Sequence, residues 1–88
     1  MERITELDQT IPLMESKDYK ERFRAEYLQT KIRYGKLLRM CVKYEAGTLD
    51  FKPNCPLDVL IDQKAVMGRY LYCLEVRAEI EGIDLREV

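Results

Sequence analysis

Apolar positions recur with helical spacing in two long stretches of this chain. Between about residues 18 and 45, Phe23, Thr30, Leu37 and Tyr44 repeat every seven positions. Tyr27, Tyr34 and Cys41 run beside them, so the two columns form one seam down a helix. Leu28, Gly35 and Val42 make a second column on another side. Between residues 57 and 81 the columns are clearer. Val59, Val66, Cys73 and Ile80 repeat every seven, flanked by Leu60, Met67 and Leu74, while Gln63, Tyr70 and Arg77 follow one edge of that stripe.

Punctuation residues bound these stretches. Asp18, three residues before Glu21, is a candidate N-cap with Ser16 as its rival, and Gly47 stands where the first long helix should stop. Residues 46 to 56 hold Pro53 and Pro56 and read as a loop anchored by Phe51. Pro56 also suits the first turn of the next helix, and Gly82 stands at its C-terminal cap, leaving 82 to 88 as a tail. Residues 1 to 16 form an acidic arm in which Ile4, Leu7 and Ile11 predict a brief helix before Pro12.

The expected fold is all-α and a single domain: a short N-terminal helix followed by an antiparallel hairpin of two helices, each about 38 Å long at about 1.5 Å per residue. Such a hairpin is a thin object. Burial at about 25 cal/mol per Å² must offset about 1.5 kcal/mol of ordering entropy per residue, and two helices alone come out near zero. Apolar columns on more than one face leave surface for a second copy, so a homo-oligomer is expected.

Composition narrows the chemistry. The 88 residues include no His and no Trp, which removes His-based triads, His metal sites and imidazole proton shuttles. Cys41, Cys55 and Cys73 are odd in number and lack a C-x-x-C pair, so they read as buried free thiols and not as a disulfide framework or a zinc site. Glu75 and Glu79 lie one turn apart but meet no matching carboxylate and His pattern on the other helix, and there is no glycine-rich phosphate loop. No enzyme, metal or cofactor is expected. No apolar run is long enough to span a membrane and the start lacks an export-signal pattern, so a cytoplasmic protein is expected.

The net charge of -1 conceals a segregation. Residues 1 to 16 carry -3, residues 17 to 43 carry +6 and residues 44 to 88 carry -4. The first long helix is therefore strongly basic, through Lys17, Lys20, Arg22, Arg24, Lys31, Arg33, Lys36, Arg39 and Lys43, with Tyr19, Tyr27, Tyr34 and Tyr44 interleaved. Cationic donors beside aromatic faces suit a phosphate-bearing ligand with planar bases. The same segregation also suits a basic helix that merely pairs with an acidic one, or a patch for nucleic acid or an acidic protein.

Two stretches together carry a resemblance. The run Tyr19-Lys20-Glu21-Arg22-Phe23-Arg24-Ala25-Glu26, followed by Leu28, Lys31, Ile32 and Leu38, and the run Leu60-Ile61-Asp62-Gln63, followed by Met67, Tyr70, Leu74 and Arg77, cover roughly residues 18 to 80. They resemble the two long helices of the phage cyclic-oligonucleotide sponges of the second anti-CBASS type, small proteins of T4-like and crAss-like phages. The resemblance implies a compact hexamer that binds cyclic dinucleotides between protomers and cyclic trinucleotides at threefold positions. It implies sequestration without cleavage, in the cytoplasm of the infected host, so that the effector of a cyclic-nucleotide defence is never switched on.

Carried over by residue, Lys31 matches the family's basic residue in the dinucleotide pocket, with Tyr27 and Tyr34 nearby in sequence. Arg77 matches the arginine that contacts trinucleotide phosphates, and Arg33 falls in the same site where a small hydroxyl residue is familiar. The stacking tyrosine of the family's N-terminal helix has no counterpart in residues 1 to 16. The expected partners are cyclic oligonucleotides and further copies of the chain, with neither a membrane nor a nucleic-acid polymer. The rival reading is a helical-hairpin interaction module with no small-molecule ligand.

Overall fold

The computed structural model describes residues 4 to 85. Among them the regular structure is helical throughout: a 3-10 turn over Leu7–Thr10, then α1 (Ile11–Met14), α2 (Tyr19–Ala46) and α3 (Leu57–Glu81). A brief 3-10 helix stands before Pro12, where the spacing predicts one, and the chain then continues into α1 around the proline, whose missing N–H has no helical partner in a first turn anyway.

α2 starts on Asp18, whose carboxylate accepts from the Lys20 N–H at 3.0 Å, while the Ser16 hydroxyl accepts from the Asp18 N–H at 3.0 Å. The two candidate caps therefore act in series. Both long helices end on a left-handed glycine, Gly47 at φ 76° and Gly82 at φ 69°, a conformation that costs glycine nothing sterically. After each glycine the next N–H turns back to the helix: Thr48 to the Lys43 carbonyl at 2.8 Å and Ile83 to the Ala78 carbonyl at 2.9 Å.

Ascending positions on α2 meet descending positions on α3. Tyr19 reaches Glu81, Phe23 lies under Arg77, and Tyr34 packs on Gly68. Arg24 extends past the end of α3, donating from Nε to the Asp84 carbonyl at 2.9 Å. Phe23, Tyr27, Leu71, Leu74, Ala78 and Ile83 make the core, with Tyr34 and Leu85 against it. That core fills only the end of the helix pair nearest the start of α2. Toward the loop, Val42, Tyr44, Phe51, Val59 and Val66 are all exposed.

The N-terminal segment lies along α2. Thr10 is fully buried; its hydroxyl donates to the Leu7 carbonyl at 2.6 Å and accepts from Gln29 Nε2 at 2.9 Å. Arg22 also donates to the Ser16 carbonyl at 2.9 Å. These bonds fix the arm to the side of α2, beside Leu28, which is buried.

The clearest column of the sequence faces outward. On α3, Val66 is 68% exposed and Ile80 78% exposed, with Val59 and Cys73 in line with them, because Leu71, Leu74 and Ala78 on the opposite side take the contact with α2. The expectation of three buried thiols is corrected accordingly: Cys41 is buried, Cys55 half-buried and Cys73 exposed, all three free. No described helix is long and apolar enough to cross a membrane.

Candidate functional site

The arm and α2 enclose a groove of about 610 Å³, within the usual range for a small-molecule pocket. One wall is Ile4, Thr5 and Glu6. The other is the face of α2 that presents Leu28, Lys31, Ile32, Gly35 and Arg39, with Tyr34, Lys36 and Leu38 at its edges. Residues 28, 31, 32, 35, 38 and 39 follow the i, i+3, i+4 spacing that places side chains on one helical face. Gln9 holds the opposite wall in place, its Oε1 accepting from the Thr5 and Glu6 N–H groups at 2.8 and 2.9 Å.

Lys31, Lys36 and Arg39 surround an apolar floor of Leu28, Ile32 and Gly35, with Thr5 and the Glu6 carboxylate on the facing wall. The Lys31 ammonium stands 5.7 Å from the centre of the Tyr27 ring, a cation–π contact that holds the charge near the groove. Tyr27 itself is only 5% exposed and belongs to the core. Burial first, and then the neighbouring Glu75 carboxylate, push its phenol above the ordinary tyrosine range. Tyr34 is half-buried and forms an edge of the groove, with its ring on Gly68.

Arg77 occupies a different place. Its guanidinium lies 4.9 Å from the centre of the Phe23 ring, its Nε donates to Glu81 at 3.3 Å, and its Nη2 donates to the Tyr19 hydroxyl at 2.8 Å. Tyr19 in turn donates to Glu81 at 2.9 Å, closing a small ring of bonds. Desolvation lowers the guanidinium pKa, but Tyr19 and Glu81 together outweigh it and the net shift is upward, so Arg77 stays charged. Two of its five N–H groups are used in this way.

Arg33 is exposed on α2. Since Arg77 packs on Phe23, Arg33 lies ten residues farther along the helix, about 15 Å away at about 1.5 Å per residue. One chain does not bring these two arginines together. It does bring Lys31 and Tyr34 together, and it adds Lys36, Arg39, Gly35 and the arm, which the sequence reading did not assign to a site. The signal for Gly35 and Arg39 lay in their spacing from Lys31, four and eight residues on, and that for Lys36 in its charge alone; nothing in residues 4 to 6 says which face of α2 the arm will cover.

A second cavity, of about 640 Å³, lies at the far end of α3 between Tyr27, Tyr72, Glu75, Glu79 and Ile83. Its carboxylates repel phosphate, so the groove beside Lys31 is the better anion site. Among the described residues no three His, Cys, Asp or Glu side chains gather as a metal site.

Neither a search of curated proteins nor one of solved structures finds a match. The family model of Sequestin matches residues 17–80, which take in all of α2 and all but the last residue of α3. With that much of the chain matched, the protein belongs to the Sequestin family, the phage anti-CBASS sponges of cyclic oligonucleotides.

Proposed function

We propose that this protein captures cyclic di- and trinucleotide second messengers without cleaving them and thereby keeps a CBASS-type defence from being triggered in the infected bacterium. The observation that carries this reading is the groove in which Lys31, Lys36 and Arg39 meet an apolar floor and the edge of Tyr34. Cations supply the attraction for phosphodiesters, and the apolar surface suits the faces of bases. Membership of a binding family agrees with a chain that sequesters and does no chemistry.

Lys31 and Tyr34 contact a cyclic dinucleotide in this proposal, and Tyr27 acts from beneath by holding the Lys31 ammonium. Arg77 and Arg33 serve a cyclic trinucleotide. Since about 15 Å separates them along one chain, the two arginines belong to different copies at the same site. The assembly is a homo-oligomer of antiparallel hairpins, a hexamer by analogy with the family, working in the host cytoplasm. A sponge must outcompete the defence receptor without turnover, which requires a dissociation constant near nanomolar, about 12 kcal/mol. A groove open on one side in the single chain gains the missing wall from its neighbour.

The exposed Val59, Val66 and Ile80 column would also suit a heterologous protein partner, which is the rival reading of an interaction module. Substitutions separate the two. Lys31→Ala is expected to weaken cyclic dinucleotide binding at least about tenfold, the loss of one charge-assisted contact, with little change in trinucleotide binding. Arg77→Ala is expected to do the reverse. Calorimetric titration of both variants with both ligand classes reads this directly, and equal affinities for wild type and variants would show that these residues were assigned wrongly.

A further inference from the structure

α2 contains a glycine in its middle, and the fold gives no local reason for it. Gly35 has ordinary helical backbone; the two glycines with positive φ are Gly47 and Gly82. A glycine inside a helix costs about 0.5–1 kcal/mol relative to alanine. A side chain at position 35 would meet no packing obstacle: its Cβ would touch only Arg39 Nη1, at 3.6 Å, the movable tip of a long side chain. Gly68 on α3 makes the contrast. A Cβ there would press on Tyr34 Cε1 at 3.3 Å, so that glycine is what lets the Tyr34 ring settle against α3.

Position 35 is instead a place where the floor of the groove has been kept bare. Gly35 lines it between Leu28, Lys31, Ile32 and Leu38, and Arg39 lies over it. Without a Cβ, the helix presents a flat strip of backbone that a planar group can approach to van der Waals distance once the movable Arg39 tip lifts off it, while Lys31 and Lys36 flank the strip with positive charge. We infer that Gly35 is a specificity-determining residue of the groove: the face of one base of a cyclic dinucleotide lies on its backbone, the Arg39 guanidinium covers that base from the other side, and Lys31 and Lys36 take the phosphodiesters. Gly68 is a positioning residue in the same site, acting through Tyr34. This rests on the dinucleotide reading above and adds to it which surface receives the base.

The role makes stability and binding move in opposite directions, which a structural glycine would not do. Gly35→Ala is expected to raise the Tm of the full-length protein by about 2–6 °C, as a helix former replaces a helix breaker. The same variant is expected to bind the best of three probes, cyclic di-AMP, cyclic di-GMP and cyclic GMP–AMP, at least about tenfold more weakly by calorimetry, because the methyl holds the base off the backbone. Gly35→Leu should lose binding further while remaining folded. Cyclic trinucleotide binding should be unaffected in either variant. A higher Tm with unchanged affinity for the probe overturns the inference and leaves the dinucleotide reading intact. A lower Tm for Gly35→Ala also overturns it, since the glycine would then be serving the fold. A wild-type protein that binds none of the three probes removes the dinucleotide reading and this inference together.

Discussion

Tyr27 and Lys31 show how one turn of helix divides between core and site. They are four residues apart, yet the tyrosine ring faces α3 and is buried while the lysine faces outward and lines the groove, the two touching through a cation–π contact at 5.7 Å. Periodicity placed Tyr27 in a seam and charge marked Lys31, so both were legible in the sequence as members of a basic, aromatic helix. What could not be read was the order of the layers, with the aromatic beneath and the cation above, since that depends on which seam α3 covers. The pKa of Tyr27 offers a test. Its folded value is raised by burial and by Glu75, so its contribution to stability is present below the unfolded value of about 10 and is lost as pH rises through the folded value. Urea midpoints measured from about pH 9 to about pH 11 should fall more steeply for the wild type than for Tyr27→Phe. Parallel curves would place the alkaline sensitivity elsewhere.

Among the elements, the ends of the long helices were easier to read than the arm. Asp18, Gly47 and Gly82 mark their caps through chemistry that is local to a few residues, and the caps form as that chemistry requires. The arm depends on long-range contacts. Its attachment runs through Thr10 to Gln29 and Arg22 to Ser16, and its helical turns continue through Pro12 instead of ending before it. The cap at Gly82 does more than stop α3, because it turns Ile83 back under the helix into the core, where it is 6% exposed. Gly82→Ala must hold a β-carbon at φ 69° and is expected to cost about 1 kcal/mol, lowering the Tm by about 4–8 °C. An unchanged Tm would mean that the turn relaxes without loss.

The whole molecule is long and unevenly packed, 43 by 24 by 19 Å, with its core at one end. The most regular column in the sequence, Val59, Val66, Cys73 and Ile80, would ordinarily be taken as core, yet it is the most exposed apolar face of α3. Periodicity records that a face is meant to be covered but not by what. In a chain of this size the covering is expected to come from another copy, and the proposed division of Arg33 and Arg77 between copies requires the same thing. Val66→Glu and Ile80→Glu place charge in that face without touching the core, so each is expected to retain helical circular dichroism while shifting the species seen by light scattering toward the 10.5 kDa monomer. Assemblies of unchanged mass would move the interface to another surface.

In the proposed assembly the segregated charge would let a basic α2 from each copy surround an anion that a single groove only half encloses. The most direct measurement is calorimetric titration of the wild-type protein with cyclic di- and trinucleotides, followed by denaturation and chromatographic recovery of the ligand. Binding near nanomolar with the ligand returned chemically intact is the predicted result. No heat with any cyclic nucleotide, or recovery of a linearised product, would contradict a protein that works by sequestration.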